Sequence, residues 1–144
     1  MKQQEEQIAM RSIKRLSNGI SREMCAAFGS GVFSGAQGRT LHFLLAHTKS
    51  DIFQKDIEEE FGLRPPTATA LLKELEQRGL IRKEPVPYDA RKKKIVVTEE
   101  ALQYKDCVLK GLEELNQKLT AGISDEEMQV FFSVTDKMLD NLAK

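Results

Sequence analysis

Residues 54–98 of the chain read QKDIEEEFGLRPPTATALLKELEQRGLIRKEPVPYDARKKKIVVT, a stretch with two helical patterns followed by two β-like runs. The first pattern predicts a short helix over 54–61, which Gly62 is placed to end. The second follows a pair of prolines. It predicts a helix that begins at Pro66, because proline fits a first helical turn and disfavours helical angles at the residue before it. Gly79 is placed to end this helix.

The two β-like runs predict a hairpin at the end of this stretch. Residues 80–84 and 94–98 are rich in apolar and β-branched residues, and 85–93 holds turn formers and basic residues. The runs are therefore expected to pair as two short strands with a long, charged tip. A helix, a tight turn, a second helix and such a hairpin form the winged helix-turn-helix arrangement, in which the second helix enters the DNA major groove.

The residues before this stretch predict two more helices. Apolar residues spaced by three and four indicate a long amphipathic helix from about residue 5 to residue 28. The sequence GSGVFSG at 29–35 is a break rich in glycine and serine. Leucines then mark another helix that ends near residue 47 or 48, and 51–53 is expected to form a short extended segment.

The residues after the hairpin also predict two helices. Thr98 can cap the first of them, and the two glutamates that follow it favour the helix dipole. The apolar residues of this helix are spaced almost as in a coiled coil. They are Val108, Leu112, Leu115 and Leu119. A capping box at 124–127 begins the last helix, which carries its own apolar stripe.

Together these elements predict a mostly α-helical protein with a small β-hairpin wing. Residues 36–98 would form the winged helix-turn-helix domain, with N- and C-terminal dimerisation helices in 1–35 and 99–144. The outer helices carry apolar faces that the small central domain cannot cover. Leaving about 600 Å² of such surface in water would cost on the order of 15 kcal/mol at ~25 cal/mol per Å². A second copy of the chain is the economical cover, so a two-fold dimer is expected.

Charge is distributed unevenly along the chain, although 22 basic residues balance 22 acidic ones. Residues 1–62 carry 8 basic and 8 acidic side chains, residues 63–98 carry 9 and 4, and residues 99–144 carry 5 and 10. The positive charge is therefore concentrated in the second helix and the hairpin, where it would orient a polyanion toward one surface. From charge alone, a solvated basic face beside an acidic terminal helix explains the pattern equally well.

Residues 54–98 resemble the DNA-binding region of the MarR family of transcriptional regulators. The matching motifs are Thr67-x-Thr69 early in the second helix, Leu75-Glu76-x-x-Gly79-Leu80-Ile81 at its exit, and Asp89-x-Arg91 followed by Val97-Thr98-Glu99. The resemblance implies a homodimer that binds pseudo-palindromic double-stranded DNA. Members of that family are usually repressors that a small ligand or oxidation releases from DNA, so the resemblance implies the same role here.

The second helix of the helix-turn-helix, which begins at Pro66, carries the first group of predicted DNA-binding residues. Thr67 and Thr69 have short hydroxyl side chains that can reach phosphates or base edges. Lys73 lies one turn further on and is better suited to phosphate. Simple surface polarity of the helix is the alternative explanation for the two threonines.

The wing carries the second group. Arg91 is long, permanently charged and suited to a narrow, A·T-rich minor groove. The resemblance implies that Asp89 holds Arg91 by an ion pair, and an ion pair that only stabilises the turn is the alternative. Lys92 and Lys93 would add attraction for phosphate that does not depend on base sequence.

Three residues at the start of the second helix depart from the family pattern. Arg64 and Pro66 stand where many members have serine, and Ala70 stands where a polar or basic residue is common. These positions are still expected to lie at the DNA, but the base preference of relatives is not transferable to this chain.

Effector sites are less clearly indicated. The family places small-molecule sites between the dimerisation helices and the DNA-binding lobe, and Phe28, Phe33 and His42 are the candidates near that junction. Ordinary core packing is the alternative for these residues. Cys25 is a candidate for redox sensing, although it lies near the end of the first helix and its alternative is a buried, inert thiol.

A zinc-responsive member of the family is a further alternative. Glu23, Cys25, His42 and His47 include ligand types that could meet across the first two helices. Zinc-responsive relatives also use histidines from the helix after the wing, and this chain has none there. No metal and no cofactor are therefore expected.

Other classes of protein are disfavoured by what the sequence lacks. It has no apolar stretch long enough to span a membrane and no signal peptide at its start, so a cytoplasmic protein without a membrane partner is expected. Two distant cysteines argue against a disulfide scaffold. No catalytic motif is present, so the chain is not expected to be an enzyme. A winged-helix module that binds proteins instead of DNA remains an alternative.

Overall fold

The structure is a computed structural model that describes residues 2–27 and 33–144. Its elements follow in the order α1 (Lys2–Ala27), α2 (Gly35–Ala46), α3 (Gln54–Phe61), α4 (Pro65–Gln77), β1 (Ile81–Val86), β2 (Asp89–Val97), α5 (Glu99–Leu102), α6 (Lys105–Leu119) and α7 (Asp125–Leu142). The described chain is mostly α-helical with one antiparallel hairpin, as predicted. None of the helices that the structure describes is long and apolar enough to cross a membrane.

One hydrophobic core joins the winged-helix elements to helices on both sides of them. The largest apolar side chains that are fully buried come from α1, α2, α3, α4, β1, α6 and the segment that precedes α2. They are Met24, Leu41, Leu45, Ile57, Leu72, Leu75, Ile81, Val108 and Phe33. Because α1 and α6 contribute to this core, neither is only an arm for a second copy. The assignment of 1–35 and 99–144 to dimerisation stays a prediction.

The N-terminal elements form where the sequence predicts them, with small shifts at their ends. Helix α1 begins at Lys2, earlier than residue 5, and its predicted last residue, Phe28, lies outside the described residues. Helix α2 starts after Ser34, whose hydroxyl accepts from the Gln37 backbone N–H at 3.2 Å. The extended segment at 51–53 pairs with the wing, since the Ile95 backbone N–H donates to the Ile52 carbonyl at 2.7 Å.

Helix α4 begins at Pro65, one residue before the predicted start. Arg64 is the N-cap in extended conformation, and both prolines occupy the first turn, where a missing N–H leaves no helical bond unmade. The ring of Pro65 presets its own φ near the helical value, which outweighs the restriction imposed by Pro66. After the helix, Gly79 adopts a φ of +74°, a conformation that side chains with a Cβ disfavour.

The wing differs from its predicted form because its tip is short. Strand β1 continues to Val86 and β2 begins at Asp89, so the turn contains two residues instead of the nine at 85–93. Longer strands satisfy more backbone N–H and C=O groups, and they bury Val86 to 3% exposure. Pairing shifts register between Pro85 and Val86, which leaves 90–92 as a bulge in β2.

The helix predicted after Thr98 is divided into two. A break at Gln103 and Tyr104 separates α5 from α6, and the Tyr104 ring packs edge-on against Phe33 with ring centroids 5.1 Å apart. Thr98 caps α5 as predicted, since its hydroxyl accepts from the Ala101 backbone N–H at 3.2 Å. The same hydroxyl donates to the Gly79 carbonyl at 2.6 Å, which ties α5 to the end of α4.

Helix α7 projects apolar side chains that the rest of this chain does not cover. The predicted capping box is present, with Ser124 and Glu127 exchanging two hydrogen bonds of 3.1 Å. None of the α7 residues is buried. Its exposed large apolar residues are Val130, Phe131, Phe132, Val134, Met138, Leu139 and Leu142, and those of α1 are Ile8, Met10, Ile13 and Leu16.

Removing the Thr98 hydroxyl should destabilise the fold. We expect Thr98→Ala to lower the free energy of unfolding by about 1–2 kcal/mol, because the α5 cap and the bond to Gly79 are lost together. Thr98→Ser keeps the hydroxyl and is the matched control, expected within about 0.5 kcal/mol of the wild type. Urea unfolding at one protein concentration measures both variants. Equal losses for Ala and Ser would mean that the methyl group, not the hydroxyl, stabilises this junction.

Candidate nucleic-acid interface

The apolar stripe of α4 determines which of its side chains face solvent. Ala68, Leu71, Leu72 and Leu75 are buried, and we call them the buried stripe of α4. Since residues three and four apart share a helix face, the stripe turns the opposite side chains outward. Six predicted DNA-binding residues are exposed at or before this helix: Arg64, Pro66, Thr67, Thr69, Ala70 and Lys73.

Thr69 is held by a residue that the sequence did not single out. The Gln54 side-chain amide, at the start of α3, donates from Nε2 to Thr69 Oγ1 at 2.8 Å. The same nitrogen lies 3.2 Å from Glu58 Oε2 and 3.4 Å from the Pro65 carbonyl oxygen. The two helices of the helix-turn-helix are therefore joined at their exposed edge by a polar network as well as by their core.

Arg91 lies in the bulge of the wing, beside the tight turn. Its side chain is 93% exposed, and its Nε lies 3.5 Å from Asp89 Oδ1. The same carboxylate oxygen accepts from the Arg91 backbone N–H at 3.0 Å. The ion pair predicted between Asp89 and Arg91 is therefore present. The ion pair engages Nε of the guanidinium, and the side chain as a whole stays exposed to solvent.

The three lysines after Arg91 have different surroundings. Lys94 Nζ lies 3.6 Å from Asp51 Oδ1, and the Lys94 side chain is only partly exposed. Lys92 Nζ lies 5.5 Å from the centre of the Phe53 ring, within the range of a cation–π contact. Lys93 is exposed, and its backbone is in register with Pro85. The run of four basic residues is thus not one uniform charge patch.

Consecutive residues at the start of α3 bring the wing and α4 to one surface. Phe53 lies beneath Lys92 of the wing, and Gln54 holds Thr69 of α4. The side chains contacted by this pair are more than twenty positions apart in sequence. A basic, bulged wing and the polar side of a helix thus share one edge of the molecule, which matches the two adjacent features of a DNA duplex, its grooves and its phosphate backbone.

Sequence inspection missed Gln54, Phe53 and Asp51 as parts of this surface. None belongs to a basic run or to a motif quoted for the family resemblance. The one available signal was the extended segment predicted at 51–53, which had to pair with some strand. Its partner is Ile95 of the wing, and this pairing is what places the three residues beside the interface.

The candidate effector residues are not brought together as one site. Phe33 is 1% exposed within the core, with Arg78 positioned over its ring at 5.0 Å. His42 lines a separate surface cavity with His47 and Phe61. Phe28 lies outside the described residues. Core packing, the alternative stated for these side chains, accounts for Phe33.

The groups proposed for zinc or redox sensing have other partners where the structure describes them. Glu23 Oε2 pairs with Lys118 Nζ at 3.0 Å, and His47 Nδ1 lies 2.7 Å from the Phe43 carbonyl oxygen. The side chain of Cys25 lies outside the described residues, and Cys107 is an exposed free thiol. In the described ranges, no group of three or more His, Cys, Asp or Glu side chains is placed to hold a metal ion.

Comparisons with known proteins agree with this fold. Residues 33–92 match the model of the MarR family. An uncharacterized HTH-type transcriptional regulator of Bacillus subtilis, YdgJ, is 23% identical over 124 residues, which span 86% of this chain and 71% of that protein. The transcription regulator MarR of Oenococcus oeni superposes with a TM-score of 0.84 at 23% identity, over 92% of this chain and 98% of that one. S. aureus MepR in a complex with DNA superposes with a TM-score of 0.79 at 25% identity, over 92% of this chain and 96% of that one.

The fold is that of a winged helix-turn-helix protein, a class that includes DNA-binding regulators of transcription. The match of residues 33–92 to the MarR family confirms the family resemblance that the sequence motifs indicate.

The cavity at His42 predicts a dependence of stability on pH. Burial lowers the pKa of His42 from its ordinary value of 6.5, and the charge of His47 lowers it further. Because the folded pKa is below the unfolded one, protonation favours unfolding. This contribution to stability is complete above pH 6.5 and is lost as pH falls through the folded pKa.

Urea unfolding at a pH above and a pH below this range measures the effect. We expect wild-type stability to fall more on acidification than that of His42→Gln, which cannot take up the proton. His47→Gln should give an intermediate fall, because only the neighbouring charge is removed. An identical fall in all three proteins would show that His42 titrates alike in the folded and unfolded chains.

Proposed function

We propose that this protein is a homodimeric transcriptional repressor that binds a pseudo-palindromic operator and is released by a small ligand or another signal. Arg91 would enter the minor groove, and Thr67 and Thr69 would meet base edges or phosphates in the major groove. Arg64, Lys73, Lys92 and Lys93 would contact phosphates. Such a regulator works in the cytoplasm, where its DNA is found.

The observation that carries DNA binding is the shared edge made by Phe53 and Gln54. A basic wing alone would be a solvated loop, and a polar helix face alone would be ordinary surface. Their joint placement matches a duplex, in which a groove and a phosphate backbone run side by side. Relatives support the same conclusion, because the S. aureus MepR structure that resembles this chain contains DNA.

Dimerisation is supported by the apolar side chains of α1 and α7 that this chain leaves in water. Leu142 is 83% exposed and Leu139 is 59% exposed, although both lie on the apolar side of α7. Burying such a side chain stabilises an interface by roughly 1.5–3 kcal/mol, so a dimer that covers several of them would gain several such contributions to its free energy of association. A two-fold dimer would also present two copies of α4 and two wings, as a palindromic site requires.

An effector would need a site that differs between DNA-bound and released dimers. The cavity beside His42 is one candidate, with Arg39, Phe43, Glu60 and Leu112 as its other lining residues. It lies between α2, α3 and α6, so a ligand there would contact a helix of the helix-turn-helix and a helix outside it. Any change in their relative position would then alter the distance between the two copies of α4.

Selection of bound sequences from a random duplex library tests the proposal, with Arg91→Ala run in parallel. We expect the wild type to enrich a palindrome and Arg91→Ala to bind it more weakly by about 1–3 kcal/mol. Lys92→Ala should instead reduce the salt dependence of affinity, with a slope smaller by about 0.9 if Lys92 neutralises one phosphate.

Lys110→Ala is the matched control for these variants, because it also removes an exposed positive charge but lies on α6. It should leave affinity and salt slope close to those of the wild type. Unchanged binding in both wing variants would show that the wing is not part of the interface. No enrichment by the wild type, even at low salt, would favour a winged-helix module that binds proteins.

The dimer interface can be tested on α7 without disturbing the core. Leu139→Asp places a charge on the apolar side of a helix with no buried residue, and we expect it to weaken dimerisation by about tenfold or more. Asn141→Asp adds the same charge at an exposed position on the opposite side of α7 and should have little effect. Sedimentation equilibrium measures both. A Leu139→Asp protein that remains as dimeric as the wild type would mean that α7 lies outside the interface.

A further inference from the structure

We propose that Gln54 is a positioning residue that makes Thr69 a hydrogen-bond donor toward DNA, and so restricts which bases the interface accepts. The inference rests on the proposed function, because it concerns the DNA atoms that α4 recognises. Gln54 lies at the first position of α3, and its amide spans the turn to α4 with the 2.8 Å bond to Thr69 Oγ1.

The surroundings of Gln54 determine the orientation of its amide. The Glu58 carboxylate and the Pro65 carbonyl, at 3.2 and 3.4 Å from Nε2, can only accept hydrogen bonds. An amide turned the other way would place its own oxygen against both of them. The –NH₂ group must therefore face this cluster, and Gln54 must donate to Thr69. The Thr69 oxygen accepts, and its own proton is left for another acceptor.

Other threonines in the chain show what Thr69 would do without Gln54. Thr40 and Thr120 donate to the carbonyl four residues earlier, at 2.8 and 2.9 Å. For Thr69 that carbonyl belongs to Pro65, the group approached by the Gln54 amide. Within the described chain, no acceptor takes the Thr69 proton. Gln54 thus disfavours the internal bond that threonine commonly makes in a helix.

The free proton gives Thr69 a defined role at a base edge. In the major groove, guanine N7 and O6, adenine N7 and thymine O4 are acceptors, whereas the cytosine amino group is a donor. A Thr69 that presents a proton should therefore favour an acceptor atom at the position it reaches. If its proton returned to Pro65, only oxygen lone pairs would face the DNA. The identity of residue 54 would then change base preference without any contact between Gln54 and DNA.

A double-mutant cycle on the selected operator tests this inference. Gln54→Met keeps the length of the side chain and removes its amide. We expect it to weaken operator binding about tenfold and to flatten base preference at one position in each half-site. In a Thr69→Val background, Gln54→Met should have no further effect on either property. The salt slope should stay unchanged throughout, because no charge is altered.

Gln77→Met is the matched control, since Gln77 is an exposed glutamine at the end of α4. It should keep both the affinity and the base preference of the wild type. Thermal melts of every variant separate altered recognition from altered folding, and Thr69→Ser should retain the wild-type base preference because it keeps the hydroxyl.

Two results would overturn the inference while leaving DNA binding intact. One is an operator-binding wild type, weakened by Arg91→Ala, whose base preference is unaffected by Gln54→Met. The other is an equal loss from Gln54→Met in the wild-type and Thr69→Val backgrounds, which would mean that Gln54 acts independently of Thr69. A wild type that binds no duplex would instead overturn the proposed function, and this inference with it.

Discussion

The buried stripe of α4 is the constraint on which the rest of the interface depends. Burial of each leucine in the stripe stabilises the fold by roughly 1.5–3 kcal/mol. The helix therefore cannot rotate to present another face without losing several of these contributions. Burial of this stripe therefore determines that Thr67, Thr69 and Lys73 face solvent. The paired prolines begin the helix and the left-handed Gly79 ends it, which limits the length of the exposed side.

The wing is held against that helix by a short segment that has no regular structure of its own. Ile52 pairs with Ile95, Asp51 meets Lys94, Phe53 lies beneath Lys92, and Gln54 then starts α3. A few consecutive residues thus fix both the position of the wing relative to α4 and the hydrogen bond at Thr69. Exposed ion pairs contribute little to stability, but these contacts limit the positions that the wing can adopt relative to α4.

The sequence allowed most elements to be predicted, and each miss has an identifiable cause. Helix α3 and both capping motifs follow from local patterns, so their prediction needed no knowledge of packing. The length of the wing tip and the break at Tyr104 depend on distant partners, namely β-pairing across the turn and the ring of Phe33. Among the candidate site residues, Arg91 was predicted from its motif, and its role at DNA stays a prediction. Gln54 was missed because its partner is 15 residues away and it carries no charge.

The sequence by itself determined the order of helices and strands, the exposed composition of α4 and the concentration of basic residues near the wing. Hydrophobic periodicity, proline and glycine act locally, and charge can be counted without coordinates. Only the tertiary structure decided that the wing and α4 share an edge, that Lys92, Lys93 and Lys94 differ in their partners, and that Thr69 keeps a free proton. Those properties depend on which distant side chains meet in the fold and on the direction of each hydrogen bond. Neither leaves a periodic pattern in the sequence, so neither could be predicted from it.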